Sequence, residues 1–167
     1  MLISPGKIKP GRKTAAEDRS RIEWLKRAVA LEQLKDWQGL LDWCREWTKS
    51  EPLNAEAWYN LGDAHGNLKR YDDAIEAHHQ ALRINPVYAE AWNDLGVAYR
   101  KLNRYDDAIA AYRRALRINP EDVDALNNLA IAYLLSGNRT AALHTVRELR
   151  RLDPEEADRL FNLIVPR

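Results

Sequence analysis

Residues 55–88 read AEAWYNLGDAHGNLKRYDDAIEAHHQALRINPVY, and residues 89–122 follow directly as AEAWNDLGVAYRKLNRYDDAIAAYRRALRINPED. The two blocks are offset by 34 residues, share RYDDAI at 70–75 and 104–109, and both run into ALRINP. Self-similarity at a fixed period of this length marks stacked units that bury their apolar faces against one another. Within the first block Trp58, Leu61, Gly62, His65 and Leu68 recur three or four apart, which places them on one face of a helix. After Lys69, Arg70 and Tyr71 a second helical face carries Ala74, Ile75, His78, Ala81, Leu82 and Ile84. Pro86 ends it, because proline has no N–H to donate and disfavours helical geometry at the preceding Asn85. Each unit is therefore a helix, a short turn and an antiparallel helix.

The same phase extends outward. Residues 123–156 keep Leu129, Ala130, Tyr133, Ala142 and Pro154, and residues 21–54 keep Trp24, Ala28, Leu31, Trp37 and Pro52 at matching positions. The spaced set Trp92, Leu95-Gly96, Tyr99, Ala108, Tyr112, Ala115 and Pro120 resembles the tetratricopeptide repeat, in an array of prokaryotic type. In the 55–88 unit His65 and His78 replace both aromatics. The last unit departs at Leu126, Ala130, Val146 and Leu149, and the first at Arg27, Leu40, Cys44 and Trp47. The resemblance implies an all-α fold, a right-handed α-solenoid of antiparallel helix pairs closed by a C-terminal capping helix. Its expected divisions are a flexible basic tail at 1–20, a degenerate unit at 21–54, repeats at 55–88, 89–122 and 123–156, and the cap at 157–167.

Small residues have a reason to recur. Gly62, Gly96, Ala28 and Ala130 fall where the two helices of a unit cross, facing Ala74, Ala108 and Ala142, and close approach requires little bulk there. Leu40 and Trp47 break this rule, so the first unit is expected to pack wider, as a terminal repeat. At the other end Leu160 and Leu163 lie one period after Leu126 and Leu129, and Ile164 stands where a small residue would be. That is one more first helix, covering the last apolar face.

Charge and composition narrow the function. Twenty-six basic residues against 25 acidic give a net charge of +1, with no whole-molecule attraction for nucleic acid or anionic membrane. No run approaches the roughly 18 apolar residues of a membrane span. Met1, Leu2 and Ile3 give way to Ser4, Pro5, Gly6 and Lys7 before a signal-peptide core can form, so a cytoplasmic setting is expected. The tail carries Lys7, Lys9, Arg12, Lys13 and Arg19 against Glu17 and Asp18, with no aromatic residue, and reads as a solvated arm.

No catalytic constellation stands out, and neither a cofactor nor a metal is implied. His65 and His78 are expected to face each other across one unit as a polar core pair, too few ligands for zinc, with His79 in solvent. Cys44, the single cysteine, has no histidine in its own unit and reads as a buried, inert thiol. Of the six tryptophans, Trp43 is the one expected to be exposed. Asp72-Asp73 and Asp106-Asp107 recur at a helix start, where the macrodipole favours negative charge.

In arrays of this kind the first helix of each pair lines the concave side. Its non-core face carries Glu56, Tyr59, Asn60, Asp63 and Asn67 in one unit, then Glu90, Asn93, Asp94, Val97, Arg100 and Lys101 in the next. The following unit adds Asp124, Asn127, Asn128 and Ile131, with Leu134 and Leu135 either on the groove or beneath the terminal helix. Amides both donate and accept, so Asn60, Asn93, Asn127 and Asn128 resemble the asparagine ladder with which some tetratricopeptide arrays grip an extended chain. The basic clamp by which other arrays hold the acidic terminus of heat-shock chaperones is absent: Tyr59, Asp63, Asp94, Asp124 and Asn128 stand at its positions. The expected partner is another protein, contributing an extended or short helical peptide that is basic or neutral, and not nucleic acid. A reading of a different class is a structural unit that forms homo-oligomers through its Trp-rich first unit or apolar last one.

Overall fold

The computed structural model describes the backbone of residues 15–165 and the side chains of 20–165. Within that range the chain forms the helices α1 (Ala15–Gln33), α2 (Trp37–Ser50), α3 (Ala55–Asn67), α4 (Tyr71–Ile84), α5 (Ala89–Lys101), α6 (Tyr105–Ile118), α7 (Val123–Leu135), α8 (Arg139–Leu149) and α9 (Pro154–Ile164). Odd and even helices pair within units, and each even helix also packs against the next odd one. The result is an all-α solenoid.

Local chemistry repeats as the sequence does. Lys35, Lys69, Asn103 and Gly137, spaced by 34, each adopt positive φ (54°, 60°, 59° and 82°) at the turn between paired helices. The left-handed residue lets the chain reverse in three residues, and the following N–H bonds back to the helix, as Arg70 to the His65 carbonyl at 2.9 Å. Between units, Trp58 Nε1 donates to the Pro52 carbonyl at 2.9 Å and Trp92 Nε1 to that of Pro86 at 3.0 Å. Each indole thus ties the turn before its helix to the helix itself. The paired aspartates occupy the first turns of α4 and α6, as expected.

The crossings are as tight as the small residues require. A Cβ on Gly62 would lie 2.5 Å from His78 Cε1, and one on Gly96 would lie 2.6 Å from Tyr112 Cε1. In the first unit tryptophans take this role: Trp24 stacks on Trp47 at 6.0 Å and tilts against Trp43 at 4.4 Å. Trp43 is consequently half-buried, with its Nε1 donating to the Trp24 carbonyl at 3.1 Å, and not exposed as the sequence suggested. At the far end Ala157, Leu160 and Ile164 of α9 are buried against Leu126, Ala130, Val146 and Leu149. Leu134 packs at the edge of this cluster, while Leu135 remains exposed.

Two expectations need correction or delimitation. The stretch read as a tail to residue 20 is already helical from Ala15: no Pro or Gly follows Gly11 there, and Ala15 to Ser20 prolong the helix of the first unit. Lys7, Lys9, Arg12 and Lys13 lie outside the described residues, as does Arg167. No described helix is long and apolar enough to cross a membrane.

Candidate functional site: the inner face of the first helices

First helices of successive units touch one another, α3 with α5 and α5 with α7, whereas among the described residues the second helices make no comparable contact. Neighbours that approach more closely on one side put that side on the inside of the bend, so α3, α5 and α7 line the concave face. Three side-chain links cross it at one offset. Arg21 pairs with Glu56, Nε to Oε2 at 2.9 Å and an Nη to Oε1 at 2.5 Å. Tyr59 Oη donates to Asp94 Oδ2 at 2.9 Å, and Asn128 Nδ2 donates to Asn93 Oδ1 at 3.2 Å. Each joins residue i to i+35, one repeat plus one residue, which is the shift between adjacent first helices.

The asparagines do not form one continuous row. Asn93 and Asn128 are linked, and Asn93 Nδ2 also donates to Asp94 Oδ1 at 3.3 Å. Asn60 turns back to the carbonyl of Glu56 at 2.8 Å, since residue 25, one offset before it, is the apolar Leu25. Asn67 likewise donates to the carbonyl of Asp63 at 3.0 Å. Asn127 Oδ1 is buried without a hydrogen-bond partner. Glu90, Asp124 and Lys101 are exposed, Val97 and Ile131 are half-buried beside the core, and Arg100 Nε approaches Tyr112 Oη at 3.5 Å.

Asp63 and Asp94 form the electrostatic centre. Burial comes first in raising both carboxyl groups above the ordinary range; the charge of Asp94 and then Glu32 adds to it for Asp63, while the Tyr59 hydroxyl opposes. That hydroxyl has one proton for two carboxylates. Its own ionisation is pushed far up by burial and by the two aspartates. Among the described residues no cationic side chain lies within ion-pair distance of either aspartate. Beside them a cavity of about 390 Å³ is lined by Gly62, Asn67, Tyr71, His78, Val97 and Lys101.

The histidines do not pair with each other. His78 is 2% exposed, its ring lies against Gly62, and its Nδ1 has no partner; burial lowers its pKa to about 4. His65 Nδ1 instead lies 3.6 Å from Asp73 Oδ2, and burial leads in lowering its pKa. His79 is exposed but not idle: its Nε2 is 2.9 Å from Tyr99 Oη in the next unit. Sequence reading had missed the Tyr59–Asp94 link, the Arg21–Glu56 pair and the His78 contact with the cavity. The first two depend on the i+35 shift between adjacent first helices and the third on the direction of the ring, and the sequence displays neither. Cys44 is fully buried, and burial pushes its thiol up to about 12, so it has no thiolate to use. No group of three or more His, Cys, Asp or Glu able to hold a metal ion occurs among the described residues.

Known proteins share this architecture. A tetratricopeptide repeat model matches residues 55–88 and 89–122, and a second model of that repeat matches 111–144. No curated protein sequence matches the chain significantly. Among solved structures the chain is similar to MamA, at 25% identity over 86% of this chain and 84% of that one, with a TM-score of 0.76. It also shares its fold with a thermophilic TPR protein of Thermus thermophilus, TTC0263, at 22% identity, covering 85% and 81% of the two chains with a TM-score of 0.72. A chain of the APC/C hetero-tetramer Cut9–Hcn1 matches at 23% identity and a TM-score of 0.78, over 85% of this chain but only 29% of its own. The matched repeats together span more than half of the sequence, and the first two coincide with the pairs α3–α4 and α5–α6, so the chain belongs to the tetratricopeptide repeat family, whose members are protein-interaction and scaffold modules.

Proposed function

We propose that the protein is a non-catalytic interaction module that holds a peptide segment of another protein, extended or short helical, along its concave face. The observation that carries this is the polar inner face of α3, α5 and α7, where Asn60, the linked Tyr59 and Asp94, and the linked Asn93 and Asn128 present amide, hydroxyl and carboxylate groups on successive first helices. A bound backbone loses water and needs such replacements, and one stranded polar group costs about 1–3 kcal/mol. The carboxylates Glu56, Asp63, Glu90, Asp94 and Asp124 favour a basic or neutral segment.

The test compares capture of a native partner by the wild-type protein and two double variants. Asn60→Ala with Asn128→Ala is expected to weaken binding by more than ~10-fold while lowering stability by no more than about 1 kcal/mol. Arg83→Ala with Arg117→Ala, on the second helices, is expected to leave binding unchanged. Loss of the partner through the arginine pair alone would move the site to the convex side. A second reading, self-association through the last unit, is favoured by the exposure of Leu135, Phe161 and Leu163 around α9. Light scattering over a range of protein concentrations separates it: a mass that rises with concentration supports assembly. The Trp-rich first unit is a poorer candidate for that contact, because Trp47 is buried and Trp24 and Trp43 are half-buried against it.

A further inference from the structure

The junction of α3, α4 and α5 holds acceptors that have no cationic partner. Asp63 and Asp94 share one tyrosine hydroxyl, and no described cation lies within ion-pair distance of either. Independently, His78 on α4 is 2% exposed, lines the same cavity, and keeps Nδ1 without a hydrogen bond. A buried imidazole nitrogen without a partner costs free energy unless something supplies one. Gly62 is what admits the ring: any Cβ there would strike it, and the same glycine lines the cavity wall. At the corresponding position one unit later Tyr112 replaces the histidine, and its hydroxyl meets Arg100 Nε at 3.5 Å. The unpaired imidazole is therefore particular to this junction and not a property of the repeat.

We propose that this cavity seats a basic side chain of the bound peptide, an arginine or lysine whose charged end lies against Asp63 and Asp94 and donates an N–H to His78. The chemistry selects a cation with several N–H donors: two carboxylates and a neutral imidazole accept, and the Tyr59 proton is already committed to Asp94. An acidic side chain would meet two like charges. A neutral amide would leave the carboxylates unpaired. Lys101, exposed, also lines the cavity but lies beyond ion-pair distance of either aspartate, so it leaves both carboxylates for the incoming cation. This assignment rests on the concave-groove reading above and specifies one contact within it.

The experiment titrates the intact protein with blocked peptides of about twelve residues, identical except at one central position, which is arginine, lysine, citrulline or glutamate. Binding is followed through backbone amide shifts. Citrulline keeps the shape of arginine and removes its charge. The arginine or lysine peptide is expected to bind at least ~10-fold more tightly than the citrulline peptide, with the largest shifts at Gly62, Asp63 and Asp94. Asp63→Asn with Asp94→Asn is expected to bring the basic peptides down to the citrulline level, and His78→Phe to weaken them several-fold, with folding of each variant checked by circular dichroism.

Equal binding of the arginine, lysine and citrulline peptides overturns the proposal, as does a preference for charge that survives the double asparagine change. No binding of a basic peptide at ~1 mM protein overturns it too. The two readings fail separately. Equal binding with shifts along α3, α5 and α7 removes the basic pocket and keeps the groove. Shifts confined to α4, α6 and α8 remove both.

Discussion

Gly62 and Gly66 lie one helical turn apart on α3, yet their environments are opposite. A Cβ at Gly62 would meet the buried His78 ring at 2.5 Å, while nothing lies within 4 Å of one at Gly66. Gly62→Ala and Gly96→Ala are therefore expected to cost about 1–3 kcal/mol through overpacking of a rigid ring. Gly66→Ala should gain about 0.5–1 kcal/mol from helix propensity, and urea denaturation of the three variants measures the contrast. His78 and Asp63 make a second residue-scale prediction, with opposite signs. The folded pKa of His78 is lowered to about 4, beside His65 and His79, so its contribution is intact above the ordinary histidine range and is lost as pH falls from about 6.5 towards 4. Asp63, facing Asp94, Glu32 and the Tyr59 hydroxyl, is raised, so its penalty is absent in strong acid and grows as pH climbs through its folded value. His78→Tyr, which copies Tyr112 over Gly96, should stabilise the protein and flatten the loss between about pH 6.5 and 4. Asp63→Asn should stabilise at about pH 7 and lose that advantage in acid. A gain of about 1 kcal/mol moves Tm by ~2–4 °C at this length, which makes both visible in melts run across pH.

Turns and the terminal helix carry the next level of organisation. Lys35, Lys69 and Asn103 hold left-handed backbone that a non-glycine residue adopts at a cost of roughly 1 kcal/mol, while Gly137 adopts it freely. Lys69→Gly is thus expected to be neutral or stabilising by up to about 1 kcal/mol, despite glycine's greater freedom when unfolded, and Gly137→Ala to destabilise by about 1 kcal/mol. Thermal melts of the two variants, moving in opposite directions, would show that the same reversal is built at every turn. The helix α9 does different work: among the described residues no further helix pairs with it, and it buries Ala157, Leu160 and Ile164 on the last unit. Removing residues 153–167 uncovers Leu126, Val146 and Leu149, so the shortened protein should melt lower and aggregate on warming, which light scattering detects.

At the scale of the molecule, a net charge of +1 conceals an acidic inner face. On α3, α5 and α7 the acids Glu56, Asp63, Glu90, Asp94 and Asp124 outnumber the bases Arg100 and Lys101, while on α4, α6 and α8 arginines such as Arg83 and Arg117 are balanced by acids such as Asp72 and Asp106. The segregation follows from the repeat itself, because a residue kept at one position of a 34-residue unit is kept on one side of the solenoid. A ligand therefore meets the sign of the face it approaches and not the near-neutral whole. The unit junctions complete the picture: an i+35 link at each of three junctions ties neighbouring first helices, and His79 with Tyr99 ties a second helix to the next first one.

What the residues determined by themselves was everything periodic. The 34-residue phase, the proline stops, the small crossing residues and the terminal cap could be read directly, because helix spacing and repeat length are local properties that survive into the fold. The concave residues could be enumerated for the same reason. Their partners could not. Asn60 bonds its own helix while Asn128, two repeats on at the same position, donates to Asn93, since the outcome depends on whether Leu25 or another amide stands 35 residues before it. The start of α1 at Ala15 escaped a reading based on charge, which cannot distinguish a helix extension from a solvated arm. His65 and His78, equivalent to a facing aromatic pair in sequence, turn instead to Asp73 and to the cavity at Gly62. Only the tertiary structure decides such matters, because the direction of a side chain is set by the volume and charge of neighbours from other units, and that arrangement exists only once the units have stacked.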